Sequence, residues 1–328
     1  LLCGVLSVSC AFKIMTFNMQ KELRITAEFE NFEIISKNIL AASPDVVVMT
    51  GTKLANISTL VKLLGEGWSG VVHCEGDTAI VSRHHILRLY EHVKSGLNAR
   101  IRLKESGLEI SLWSLQLSGM HHYFQLLSLG RRQTTDQLFE NEKDTRVKEI
   151  VELIRHPVFV KQIKNSGNIP VIVAGNLHSP SHLDWTRGNQ DYNYGYVFDW
   201  PVTKLLSNAA GMVDSFREIY PDPKMNRGTT FPFYNLQQQK YKGDRLDYIF
   251  YRGSLRPLSS YLYSGNAVPP RNVDDIVTEI WPSIHYSLVT EFEQTWHKHE
   301  NQPSFFVGSE YSYDSFELID KCPLKILN

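Results

Sequence analysis

The sequence predicts an α/β protein built from two packed β-sheets with helices on their outer faces. Three observations carry this reading. Residues 46–49 and 170–174 are short, continuous apolar runs, as expected of strands buried on both faces. Residues 143–155 carry Val147, Ile150, Val151 and Ile154 at i, i+3, i+4 and i+7, the stripe of an amphipathic helix. Hairpin signals occur as well, and helices alternating with apolar strands and hairpins suggest a two-sheet sandwich.

In chain order, Phe12–Asn18 reads as a strand and 32–40 as a helix. The 46–49 strand follows Pro44-Asp45. Residues 57–64 read as a helix capped by Asn56. Val71-Val72 and residues 78–81 flank Glu75-Gly76-Asp77 and read as a hairpin. Residues 99–103 alternate, with Arg100 and Arg102 on one face, and 108–117 is a further strand. The 143–155 helix has Asp144 at its start and is expected to stop at Pro157. Residues 165–168 form a loop, 199–210 a helix ended by Gly211, and 245–251 and 286–292 the last strands. Beyond about Glu293 the periodicity is lost, which predicts an appended tail, 293–328, packed on a 12–292 domain.

The chain has 328 residues, 42% apolar and 21% charged, with 34 Lys+Arg against 35 Asp+Glu. That composition excludes disordered, collagen-like and coiled-coil chains. A net charge of −1 argues against wholesale wrapping by nucleic acid. Residues 1–11 are apolar, uncharged and end in small residues. They are expected to be the tail of a signal peptide truncated at its amino end and cleaved near Cys10 or Ala11, which makes the protein secreted; a buried first strand is the alternative. Removal would leave Cys74 and Cys322 as a candidate disulfide, and Asn56-Ile57-Ser58 as a glycosylation sequon. No later run of 18 apolar residues occurs, so no membrane span is expected. No CxxC pair, Gly-x-Ser-x-Gly elbow, P-loop or dinucleotide fingerprint is present.

Five segments stand in an informative order: Lys13-Ile14-Met15-Thr16-Phe17-Asn18, residues 44–51 (PDVVVMTG), residues 171–179 (VIVAGNLHS), Asp244-Arg245-Leu246-Asp247-Tyr248-Ile249, and Pro282-Ser283-Ile284-His285. Together they resemble the endonuclease/exonuclease/phosphatase superfamily, the DNase I-like fold, over residues 12–292. Pro180-Ser181-His182-Leu183-Asp184-Trp185-Thr186 is similar to a variant in its secreted, sphingomyelinase-like branches. The resemblance implies a four-layered α/β sandwich and Mg²⁺-dependent cleavage of phosphoesters. A carboxylate would hold the metal, an Asp would orient or deprotonate the attacking water, and histidines would donate to phosphate oxygens.

Against the family pattern, Asn18, Asp247 and His285 match; Asp247 corresponds to the Asp that fixes the tautomer of His285. Five positions depart. Gly51 stands at the metal-binding Glu, Gln116 at a catalytic His, Asn176 and His178 at the Asp and Asn of Gly-Asp-x-Asn, and Ile284 at the Asp of Ser-Asp-His. Asn176 accepts a hydrogen bond but takes no proton at neutral pH, and Ile284 does neither. Loss of one general base alone costs about 10²–10⁴ in rate. The expectation is therefore a pseudoenzyme that binds a ligand or partner, a phosphodiester or lipid head group among the candidates, without metal. The alternative is an active metal-dependent phosphodiesterase with a rearranged site, in which acidic residues such as Asp184 or Glu75 replace the lost ligands. A His178/His285 pair would favour Zn²⁺ but lacks a third ligand. His84-His85 and His121-His122 are minor haem or metal candidates, read first as solvent-facing loop or strand-edge residues. The Asp247–His285 pair also has a structural reading, since breaking a buried pair on one side is costly. Aromatic clusters at 231–234 and 261–263 are read as loop and core packing, with a lipid-facing or substrate-facing loop as the sharper alternative.

Overall fold

The computed structural model describes residues 11–19, 28–73, 77–90, 92–119, 123–235, 240–265, 281–295 and 325–327. Its strands are β1 (Phe12–Asn18), β2 (Val46–Thr50), β3 (Ser69–Val72), β4 (Thr78–Ser82), β5 (His85–Leu89), β6 (Gly96–Arg102), β7 (Glu109–Gln116), β8 (Val171–Asn176), β9 (Val213–Asp214), β10 (Phe231–Asn235), β11 (Lys240–Asp244), β12 (Asp247–Arg252), β13 (Leu255–Tyr263), β14 (Ser287–Gln294) and β15 (Lys325–Leu327). Its α-helices are α1 (Glu28–Ala42), α2 (Leu54–Leu64), α3 (Tyr123–Ser128), α4 (Thr135–Glu142), α5 (Lys148–Arg155), α6 (Pro157–Lys164), α7 (Pro201–Asn208) and α8 (Ser215–Ile219).

Two mixed sheets form the sandwich. One has the order β13-β14-β1-β2-β4-β3-β15 and the other β5-β6-β7-β8-β12-β9, while β10 and β11 pair as a separate hairpin. Only β1/β2 and β7/β8 are parallel among the described pairs. Alternation explains why residues 46–49 are apolar throughout. Val46 and Val48 join the core between the sheets, where Ile14, Ile110, Leu112 and Ile249 also pack. Val47 and Met49 face outward onto Ile35, Ile39, Ile57 and Leu60 of α1 and α2. The second sheet repeats the scheme: Val171 and Val173 pack outward against Ile150, Leu153 and Phe159 of α5 and α6. The central strands β2 and β8 are buried on both faces, and the layers are helix, sheet, sheet, helix.

Several elements differ from the sequence reading. The helix expected at 143–155 is preceded by α4, whose start is fixed by a Thr134–Gln137 capping box. The intervening Lys143–Val147 segment is a π-turn, which accommodates the wholly buried Arg146. Pro157 does not merely stop a helix; it occupies the first turn of α6, where its missing N–H costs nothing. Asn56 is not a cap: α2 begins at Leu54 after Lys53, and Asn56 sits half-buried in the first turn. Phe231 and residues 261–263 lie in strands β10 and β13 rather than loops. Beyond residue 292, β14 continues to Gln294, and Lys325–Leu327 pairs antiparallel with β3. Residues 1–10, Cys74, Glu75, His121, His122 and Cys322 lie outside the described residues.

Candidate functional site

The chain delivers the family positions to one edge of the sandwich. In the second sheet, Gln116, Asn176 and Asp247 are consecutive partners in register, so three strand ends place them in a row. In the first sheet, Asn18 ends β1 opposite Thr50 of β2, and Gly51 follows directly. The close packing of β7 on β8 depends on Gly175, where an added Cβ would stand 2.0 Å from the Leu115 carbonyl oxygen.

The two rows are joined across the sandwich. The Gly51 N–H donates to Gln116 Oε1 at 2.7 Å, and one strand-turn deeper Thr78 Oγ1 bonds Ser114 Oγ. Gly51 has φ +66°, a left-handed conformation in which a larger residue is strained. A Glu at 51 would therefore be strained on this backbone, and the Gln116 amide joins the two sheets here.

Asn176 is fully buried, and its Oδ1 accepts the His178 N–H at 2.8 Å. This orients the amide, so Nδ2 is the donor left over; it is buried with no hydrogen-bond partner among the described residues. His178 adopts φ +47°, a left-handed conformation that Asn, Asp and His take up more readily than other residues with a Cβ, and its buried ring packs on Gly119. Gly119 belongs to a loop tied down from behind. Ser118 donates to Glu149 through N–H (2.8 Å) and Oγ (2.5 Å), and its carbonyl accepts from Arg146 Nη1 at 3.0 Å. Arg146 is held in turn by Glu142 and Tyr123.

Asp247 and His285 meet as expected. His285 Nδ1 lies 2.7 Å from Asp247 Oδ2, and because a carboxylate only accepts, Nδ1 carries the proton. The Asp247 N–H donates to Thr230 Oγ1, and His285 N–H donates to Ser283 Oγ. Nε2 of His285 is buried without a hydrogen-bond partner among the described residues, and the Phe231 ring packs against the imidazole, tilted, with centroids 4.8 Å apart. Ile284, half-buried beside it, adds only apolar surface.

The donor set does not fit Mg²⁺. Among the described residues no three His, Cys, Asp or Glu side chains converge on one point. Asp247 is the single carboxylate among the family positions and is engaged by His285. Asp184 does not move in as a substitute. Its carboxylate accepts from Arg217 Nε at 2.5 Å and from Arg245 Nε at 2.9 Å, while Arg245 also binds Asp214. Burial pushes the Asp184 carboxyl up, but Arg245 and Arg217 outweigh it and hold it below the ordinary aspartate value. The His84 ring is buried and committed: Nε2–H donates to Asp45 Oδ1 and Nδ1 accepts the Lys104 N–H. Its neighbour His85 is exposed on edge strand β5.

Sequence reasoning missed the arginine–aspartate lattice and the aromatic segment beside it. Tyr192, Tyr194, Tyr196 and Phe198 pack around Trp185 and Trp200. The signal was present as a tyrosine-rich run, but it has neither strand nor helix period.

No family model matches the chain. It is 30% identical over 296 residues to "Uncharacterized protein F14F9.5" of Caenorhabditis elegans, spanning 87% of this chain and 92% of the relative. Among solved structures it is similar to the human Nocturnin catalytic domain with bound sulfate (TM-score 0.56, 16% identical, 87% of this chain and 95% of that one). It is also similar to truncated Caenorhabditis elegans TDP2 (0.54, 14%, 87% and 98%) and to an endonuclease/exonuclease/phosphatase from Bacteroides vulgatus (0.54, 13%, 87% and 99%).

Proposed function

From a chain that belongs to one family with F14F9.5 of Caenorhabditis elegans and has the DNase I-like fold of the endonuclease/exonuclease/phosphatase superfamily, we propose a secreted pseudoenzyme that binds a phosphoryl group without cleaving it. The observation that supports this is the row Gln116–Asn176–Asp247 with its bridge to Gly51. Glycine stands at the family's metal-binding Glu, amides stand at its catalytic His and at the Asp of Gly-Asp-x-Asn, and one of those amides, Gln116, is spent joining the sheets. Asn176 Nδ2 can donate to an oxyanion, and so can His285 Nε2 when the imidazole is protonated beside Asp247. These groups recognise a phosphate but do not supply a nucleophile. Secretion rests on the apolar stretch 1–11 and is checked by whether a fusion carrying it is exported and trimmed.

One observation favours the second reading, an active phosphodiesterase: the Asp247–His285 pair keeps the geometry of an oriented imidazole. Hydrolysis of bis(4-nitrophenyl) phosphate with Mg²⁺ and with Zn²⁺ separates the two. The natural chain is expected to be silent, while a variant carrying Gly51→Glu, Gln116→His, Asn176→Asp, His178→Asn and Ile284→Asp is expected to turn over. Metal-dependent turnover by the natural chain that disappears in His285→Ala would overturn the pseudoenzyme reading. Gly51→Glu is the hardest of the five changes, because its backbone must leave the left-handed region.

A further inference from the structure

The outer face of β5, β6 and the start of β7 carries a cationic grid. Ile86 and Leu89 of β5 pack with Ala99, Ile101, Ile110 and Leu112 in the core between the sheets. Alternation turns their neighbours to the opposite face, and a bulge between Ile86 and Arg88 keeps His85 and Arg88 on it together. There the register sets two rows across the strands: His85, Arg102 and Glu109 in one, Arg88, Arg100 and Ser111 in the other. The next row, Asn98 and Trp113, is covered by Gln162 of α6, which accepts from Trp113 Nε1 at 2.8 Å and donates to Asn98 Oδ1 at 2.7 Å. His85, Arg88 and Arg102, in the two rows beyond, are exposed.

The rows set like charges against each other. Arg88 stands directly opposite Arg100, an arrangement that destabilises a sheet, and His85 stands opposite Arg102. Glu109 compensates in part, accepting from Arg100 Nη1 at 3.2 Å and from Arg102 Nε and Nη2 at 3.1 and 2.6 Å. Arg88 makes no ion pair among the described residues. Its Cζ lies 4.8 Å from the Tyr90 ring centroid, and that of Arg100 lies 5.8 Å from the same ring. Three guanidinium groups thus share one carboxylate, on a chain whose net charge is −1. Arginines on an edge strand guard it against stray pairing. Arg100 and Arg102 have no such task, because β6 is paired on both sides.

We propose that this face binds a sulfated glycan chain, with Arg88, Arg100 and Arg102 holding its sulfate groups. The rows are about 7 Å apart along the strands and the strands about 5 Å apart, so the guanidinium groups form an open array suited to a polyanion rather than a pocket for one ion. A single-stranded nucleic acid would need aromatic faces for its bases, and the Tyr90 ring is already engaged by two arginines. Sulfate makes no such demand, and a guanidinium donates to a tetrahedral oxyanion through paired N–H groups. Ser111 and Gln116 stand five positions apart on β7, about 17 Å, so the face is separate from the sheet edge and the inference does not need the phosphoryl reading. The glycan as occupant presupposes the extracellular location proposed above, whereas the cationic array does not.

Calorimetric titration of the full chain with a sulfated glycosaminoglycan hexasaccharide tests this, beside the desulfated hexasaccharide, a dT hexanucleotide and a hexaglutamate peptide. The variants are Arg88→Gln, Arg88→Lys and, in the α3–α4 connection, Arg131→Gln; both arginines are exposed, so all three should fold. Arg88→Gln is expected to weaken the sulfated hexasaccharide about tenfold, the loss of one charge-assisted hydrogen bond. Arg88→Lys should cost less than about threefold and Arg131→Gln less than about twofold, with no binding of the desulfated sugar. Equal binding of the desulfated sugar, or equal loss in Arg88→Gln and Arg131→Gln, would overturn the assignment to this face. If the hexanucleotide or hexaglutamate binds as tightly and loses as much in Arg88→Gln, the occupant is a nucleic acid or an acidic peptide and the glycan is wrong. No binding of the sulfated hexasaccharide at millimolar concentration also overturns the proposal. These titrations read the array alone; the export of the fusion reads the location, so the two can fail separately.

Discussion

Two buried polar assemblies lie within a few residues of each other in sequence, Arg245 and Asp247 being separated only by Leu246, and they are satisfied in opposite ways. The arginine–aspartate lattice is closed. Arg245 contacts both Asp184 and Asp214, and Arg217 spends its guanidinium on Asp184 and on the carbonyls of Tyr220, Asn226 and Arg227. The sheet edge is open, with Asn176 Nδ2 and His285 Nε2 buried and unmatched among the described residues. A closed network fixes geometry, whereas buried nitrogens without partners are retained at a cost unless something binds them. The two assemblies therefore differ: one holds the 184–245 loops in place, and the other leaves two nitrogens for the phosphoryl group proposed above.

The largest expected effect falls on the lattice. Asp184→Asn leaves Arg217 and Arg245 short of a carboxylate in a buried place and should cost about 3–5 kcal/mol in urea unfolding. A cost below about 1 kcal/mol would erase the distinction between the assemblies. The lattice should also mark the acid limb. Because the folded Asp184 carboxyl is held below 3.8, its contribution is complete above that value and is lost as pH falls through the lower folded value.

A smaller change is expected at the edge. His285→Gln removes the donor to Asp247 and should cost about 1–3 kcal/mol, part of which is recovered if the glutamine amide reaches the carboxylate. The smallest effect belongs to Gln116→Ala, which frees the Gly51 N–H near solvent and should cost about 0.5–1.5 kcal/mol. A much larger loss there would mean that the amide bridge, rather than the cores, holds the sheets together at this end.

Much of the fold was legible because the strands that matter are apolar on both faces, which requires helices outside each sheet. The Val46–Met49 stretch and Val171–Ala174 could hardly be anything else. Strand β5 was not, because its exposed edge reads His, Ile, Leu, Arg, Leu without a buried partner on one side. Strand β13 hid behind Pro257, where the register shifts, since proline within a run argues against a strand. At the site, Asp247 and His285 could be paired from the family pattern. The Gly51–Gln116 bridge could not: it joins residues 65 apart through a backbone N–H, which carries no side-chain signature. Asp184 was read as a spare acid because its arginine partners stand 33 and 61 positions away.

Strand β1 has a consequence for how the polypeptide is made. Phe12 pairs with Phe292, so one neighbour of β1 is synthesised 280 positions after it. At about 5–20 residues per second, the 280 positions between them take about 14 to 56 seconds to emerge. Throughout that interval β1 can pair with β2, but its other edge stays open, and residues such as Ile14 and Phe17 have only part of their final surroundings. The nascent chain must therefore be shielded from other nascent chains, and a product ending before β14 would carry a permanently unpaired, apolar strand edge.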